Sequence, residues 1–169
     1  MATTAELLIE AYGRIGQIVH RVVDGLDEDA LAARVGPEAN SIVWLVWHLT
    51  RVQDDHVAHV AGTEQIWTAN GWVERFGLPF DASAIGYGQT SDEVGRVRGV
   101  SAELLAGYYD DVYAASSAYL RRLTDNELDR VVDERWDPPV TLAVRLVSVI
   151  SDDLQHAGQA AFVRGLLAR

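Results

Sequence analysis

Apolar residues recur at steps of three and four along four stretches of the chain, and that period predicts four long helices. In the first, Leu7, Leu8, Ala11, Tyr12, Ile15, Ile18, Val19, Val22 and Val23 are interleaved with Glu6, Glu10, Arg14 and Arg21. Thr4 reads as its cap and Gly25 as its stop. Ser41 reads as the cap of a second helix running to about Ala61. Its opening, Ile42-Val43-Trp44-Leu45-Val46-Trp47, is apolar on every side and predicts burial all round, whereas Arg51 to His59 is strongly polar. A third helix is expected from about Ala102 to Leu123 behind Ser101, turning Leu104, Leu105, Tyr108, Val112, Tyr119 and Leu120 toward a core. The fourth starts near Thr141 and reaches Leu167, about 39 Å at 1.5 Å per residue. Its apolar positions include Leu142, Leu146, Val149, Ile150, Leu154, Ala160, Phe162, Val163 and Leu166.

The connections are unequal. Leu26 to Asn40 is a linker with a helical turn around Asp29–Ala33 and a break at Gly36-Pro37. Gly62 to Gly99 is longer and holds 7 of the 14 glycines together with Trp67 and Trp72. A connection of that length in a compact domain usually carries function or short local structure. Short helical turns are expected near Thr63–Trp67 and Asn70–Phe76, followed by coil, with Ser91–Val94 left open between the two. Thr124-Asp125-Asn126-Glu127 has the form of a capping box, and Pro138-Pro139 ends that segment. Nothing alternates with period two, so no sheet is expected. The pattern as a whole predicts an all-α fold, a four-helix bundle with a long crossover between the second and third helices, in a single domain spanning residues 1–169.

Composition narrows the function classes. Fourteen basic residues, all Arg, stand against 25 acidic ones, a formal charge of −11. Such a chain is repelled by phosphate backbones and anionic lipid, which disfavours nucleic acid and membrane surfaces as partners. No apolar run approaches the ~20 residues that cross a bilayer, and the first residues lack the basic start and apolar core of a secretory signal. A soluble, cytoplasmic protein is expected. With no cysteine in the chain, disulfides, zinc fingers, iron–sulfur clusters and cysteine nucleophiles are excluded.

Five histidines are present, at 20, 48, 56, 59 and 156. At 100° per residue His48 shares a helical stripe with Val52, Asp55 and His59, and His56 lies about 80° away. On the fourth helix Asp152 and Asp153 precede His156 by four and three positions. An acid and an imidazole in a largely apolar helix need a partner, because unpaired buried charge costs several kcal/mol. A divalent metal explains them: a carboxylate and an imidazole one turn apart, joined by an imidazole from a facing helix, fill three corners of a tetrahedron and leave the fourth open. The plainer explanation is one or two satisfied core histidines. Other metal templates fit less well. There is no His-Glu-x-x-His, and a di-iron bundle needs two Glu-x-x-His units, whereas Asp153-Leu154-Gln155-His156 occurs once.

The string Ser41-Ile42-Val43-Trp44-Leu45-Val46-Trp47-His48-Leu49-Thr50-Arg51-Val52 and the string Ser151-Asp152-Asp153-Leu154-Gln155-His156-Ala157-Gly158-Gln159 resemble the DinB-like superfamily. The nearest branch is the actinobacterial one that includes mycothiol-dependent maleylpyruvate isomerase and the mycothiol S-transferases. The resemblance covers the whole chain in order. It implies a bundle holding one divalent ion, often zinc or nickel, by a histidine from the second helix and two ligands from the fourth. Carried over, these are His48, Asp152 and His156. The branch has glutamate where Asp152 stands; the shorter acid could weaken the metal, insert a bridging water or hand the role to Asp153.

The resemblance further implies a metal-dependent S-transferase, or an isomerase, with mycothiol as co-substrate and a small electrophile as its target. Metal coordination deprotonates a thiol whose pKa is otherwise near 8.5, and a chain without cysteine agrees with a borrowed sulfur. Asp55, His59 and Arg51 are candidate contacts for the hydroxyl-rich part of that thiol. The plainer reading makes Asp54, Asp55, His56 and His59 a solvated helix face. Trp67 and Trp72 are candidate cofactor-binding residues as a lid over the pocket, although plugging the open end of the bundle is the commoner role for such aromatics. Members of this family often pair, so a homodimer fits. The competing reading is a non-catalytic small-molecule binder or stress-response scaffold with a structural or degraded metal site.

Overall fold

The computed structural model describes residues 2–168. Four long helices form the body: α1 (Thr4–Val23), α3 (Ile42–Ala61), α7 (Ala102–Leu120) and α8 (Leu142–Leu167). Between them lie the short α2 (Glu28–Ala32), α4 (Ile66–Ala69), α5 (Trp72–Phe76) and α6 (Ser91–Val94), and a 3₁₀ turn at Asp125–Glu127. Among the described residues no helix is long and apolar enough to cross a membrane.

The helix starts follow side-chain chemistry. Ser41, Ser101 and Thr141 each accept from a backbone N–H three residues on, satisfying one of the orphan donors of the first turn. For α1 that residue is Thr3, in a capping box with Glu6, and not Thr4. The third long helix stops at Leu120, three residues short of expectation, where Arg121 turns the chain toward the 3₁₀ turn.

The four helices stand at the corners of a square, with α1 beside α7 and α8, and α3 beside α7 and α8. His48 meets His156 and His56 meets Arg145, so α3 and α8 run antiparallel. Tyr109 bonds back to Tyr12 near the middle of α1, while Arg164 near the end of α8 bonds to the end of α1 at Val22. The core runs the length of the bundle through Tyr12, Ile15, Val19, Leu45, Leu49, Leu105, Val112, Leu146 and Val149. From Ile42 to Asp54 every residue of α3 is buried, because the crossover covers the side that α7 and α8 leave open.

One expectation is corrected here. A small antiparallel hairpin, β1 (Val131–Asp133) with β2 (Val140–Thr141), precedes α8. Strands of three and two residues are too short for alternation to register. On α8 the apolar Val144, Val147, Leu154, Phe162 and Leu166 are exposed.

Candidate metal centre

The seam between α3 and α8 gathers three ionisable side chains. His48 is 4% exposed, enclosed from both sides. Trp44, one turn earlier on α3, stacks on its ring with centroids 4.6 Å apart and planes inclined by 19°. From the other side the crossover passes so close that a Cβ on Gly86, whose φ is +95°, would lie 2.6 Å from His48 Nδ1. The Nδ1–H of His48 donates to the backbone carbonyl of Ile85. That bond fixes the tautomer and leaves Nε2 with its lone pair free.

His156 on α8 brings its ring to 4.8 Å from that of His48, inclined by 74°. Its Nδ1–H donates to Gln159 Oε1 at 2.9 Å, so Nε2 is again the free nitrogen, and this lies 3.7 Å from Asp152 Oδ1. Asp152 Oδ2 is buried without a hydrogen-bond partner. One ligand atom from each of His48, Asp152 and His156 lies within 4.8 Å of the other two. Donors at 2.0–2.2 Å from a tetrahedral zinc sit ~3.4 Å apart, so small side-chain rotations close this set on an ion. Burial lowers the pKa of His48 and the facing His156 adds to the effect; the Ile85 bond and the Asp152 charge oppose it without cancelling it. The imidazole is therefore held in the neutral form that a metal requires.

The orphaned Asp152 oxygen and the two engaged Nδ1 atoms make the donor set suited to a divalent ion. Of the two neighbouring acids, Asp152 is the one beside the imidazoles. Asp153 is fully buried on a different face of α8, its charge bearing on Tyr12 and Tyr109, and neither of its oxygens has a hydrogen-bond partner. Burial pushes its carboxyl far above the usual range, with the Asp152 charge adding to that.

Other polar residues of α3 go elsewhere. Arg51 is completely buried and its donors are committed: Nη1 to Gln65 Oε1 at 2.8 Å and to the Tyr108 hydroxyl at 3.3 Å, Nε to the Ala84 carbonyl at 3.2 Å, Nη2 to the Ala82 carbonyl at 3.4 Å. It holds the crossover onto α3 and does not face an open pocket, which corrects its reading as a substrate contact. Asp54, expected on a solvated face, is 3% exposed. Its carboxylate accepts from the Ile66 and Trp67 N–H groups and from the Tyr108 hydroxyl, each at 2.8 Å, so it caps α4 from a neighbouring helix.

Trp67 and Trp72 are each 3% exposed. Both pack against Phe76 and Tyr108, Trp67 also under the Arg51 guanidinium, and Trp72 donates from Nε1 to Asp111 at 3.0 Å. They plug the bundle; the ring edge-on to His48 at 5.8 Å is instead Tyr87, which is 71% exposed. Asp55 and His59 lie farther along the seam, in a cleft with His56 and the hairpin. Sequence reasoning gave no role to Ile85, Gly86, Tyr87 and Gln89, the last of which accepts from Trp44 Nε1 at 2.7 Å. Only the Gly86-Tyr87-Gly88 string, at the end of a glycine-rich crossover, hinted at a close approach.

A family model described as mycothiol-S-transferase matches residues 14–169 of the chain. In fold the chain is similar to a solved structure of a conserved protein from Enterococcus faecalis, with 27% identity, 99% of each chain covered and a TM-score of 0.93. No curated protein matches it significantly.

Proposed function

We propose, on the premise that the chain belongs to the mycothiol-S-transferase family, that it joins mycothiol to a small electrophile at a divalent ion held by His48, Asp152 and His156. The observation that carries this reading is the convergence of two imidazoles, each with its Nδ1 engaged, on an acid whose second oxygen is buried and unpartnered. A buried acceptor without a donor costs about 1–3 kcal/mol, and a cation removes that penalty. Bound there, a zinc-type ion supplies the Lewis-acid character that brings a thiol pKa of about 8.5 down toward neutrality.

The chain's own residues do the remaining work. Asp152 supplies one negative charge against the ion, and the two neutral imidazoles add donors without adding charge. Three protein donors leave a coordination position for an incoming ligand. The Ile85 carbonyl and Gln159 amide orient the two rings, and outer partners of this kind raise ligand basicity. Trp44 walls the inner side of His48 and keeps water from it, while the exposed Tyr87 stands at the rim. Because the chain contains no cysteine, the sulfur that attacks is the co-substrate's.

Metal analysis of the purified protein followed by conjugation of mycothiol to a bimane electrophile tests the reading. A zinc-type ion near equimolar with the chain is expected, with conjugation lost on chelation and restored by the ion. Conjugation that survives complete chelation, or protein that takes up no divalent ion, overturns it.

A further inference from the structure

Along the same seam a second cluster has no part in holding the ion. The C-terminal half of α3, the β1–β2 hairpin and the start of α8 enclose a cleft of about 450 Å³, lined by Asp55, His56, His59, Glu134, Arg135 and Arg145 among others. That volume falls within the range of about 300–1,000 Å³ usual for small-molecule sites. Its wall is anchored. Asp133, only 8% exposed, accepts from Arg145 Nη2 at 3.0 Å and from Arg135 Nη2 at 2.8 Å, tying the hairpin to α8. Arg145 Nη1 in turn donates to His56 Nδ1 at 3.4 Å, which leaves Nε2 of that ring as a donor.

The fixed charges nearly cancel: Asp55, Asp133 and Glu134 against Arg135 and Arg145, in a chain whose formal charge is −11. The cleft therefore offers donors (His56, His59, Arg135) and acceptors (Asp55, Glu134) without the charge surplus that selects an ion. Hydroxyl groups, which both donate and accept, match that mixture. The cleft is also in line with the metal cluster. His48 and His56 stand eight residues apart on α3, ~12 Å along the axis, and the Asp152 charge bears on both rings.

We infer that this cleft is a polyol subsite, taking the neutral, polyhydroxylated portion of a glycosylated thiol whose sulfur reaches His48, Asp152 and His156. The inference rests on the function proposed above and adds to it the place where the thiol is told apart from smaller ones. Two variants test it: His56→Ala, and His59→Ala, whose side chain is exposed on the rim. The readout is the ratio of kcat/KM with mycothiol to kcat/KM with N-acetylcysteine, a thiol that carries no glycoside. Loss of a hydrogen bond or two to hydroxyls lowers that ratio about tenfold, whereas a general loss of fold moves both thiols together.

A second arm needs no catalysis: binding of glucosaminyl-inositol, which has no sulfur, measured by calorimetry. The unsubstituted protein and His48→Ala are expected to bind it, and His56→Ala to lose it. A ratio that moves in neither variant, or glycoside binding that is absent or that both cleft variants keep, overturns the subsite and leaves conjugation standing. Glycoside binding that depends on His56 in a protein that conjugates no thiol upholds the subsite and overturns the transferase reading.

Discussion

His48 and Ile85 lie 37 positions apart, yet the carbonyl of Ile85 holds the imidazole N–H of His48. Arg51, three positions along α3, takes the Ala82 and Ala84 carbonyls of the same stretch. The crossover is thus clamped to α3 at two adjacent levels, and the ring of His48 is oriented by a segment without regular structure.

Gly86→Ala tests that clamp most directly. The new Cβ meets His48 Nδ1 at 2.6 Å, in a backbone conformation of φ +95° that side chains rarely adopt. Because an outer partner of a metal-binding histidine is worth about 10–100-fold in metal affinity, a loss of that size is expected, with helical content by circular dichroism retained. Unaltered affinity would mean that His48 is not positioned by the crossover.

Asp152→Asn separates charge from shape. The amide keeps the side-chain volume but loses the negative charge and one acceptor, so metal retained through gel filtration is expected to drop to trace levels. Asp153→Asn, on the other face of α8, is expected to retain the metal. If the two variants behave in the opposite way, the assignment of the ligand is wrong.

Arg51→Met removes a fully buried guanidinium and with it the positive charge facing Asp54, 3.6 Å away and only 3% exposed. Breaking one side of such a pair costs about 3–5 kcal/mol. The double variant Arg51→Met/Asp54→Asn is expected to lose less than the sum of the two single losses, as residues in one network do. Urea denaturation measures both; strict additivity would show that the two groups act separately.

The His56 pKa is lowered, by burial first and by the Arg145 guanidinium second. As pH falls through about 6.5, the unfolded chain takes up this proton before the folded chain does. The contribution to stability is therefore full above that pH and is lost as pH falls through the lower folded value. Relative to the unsubstituted protein, His56→Gln should gain stability at pH 5 compared with pH 8. Urea midpoints that differ by the same amount at both pH values would exclude the effect.

What was legible along the chain is what repeats or caps. Ser41, Ser101 and the fourth-helix start were legible because a hydroxyl before an apolar period leaves few alternatives. His156 with its neighbouring acids stood out because charge interrupts an apolar helix. Arg51 was misplaced as a substrate contact and Asp54 on a solvated face, since a polar run on a helix looks the same whether solvent or a crossover covers it. Trp67 and Trp72 were legible as large apolar groups, but their partners Phe76 and Tyr108 could be paired with them only in three dimensions.

The sequence by itself determined the helices, their order and the long crossing, because the 3.6-residue period and the capping hydroxyls are local properties that neighbouring residues express together. It also ruled out cysteine nucleophiles and disulfides, since the chain has no cysteine. Only the tertiary structure decided which acid of Asp152-Asp153 faces the imidazoles, which nitrogen of each ring stays free, and that Tyr87 rather than a tryptophan stands at the rim. Those choices depend on the rotation of α8 against α3 and on a non-periodic loop folding back over both, and contacts between segments so far apart in the chain leave no local period to read.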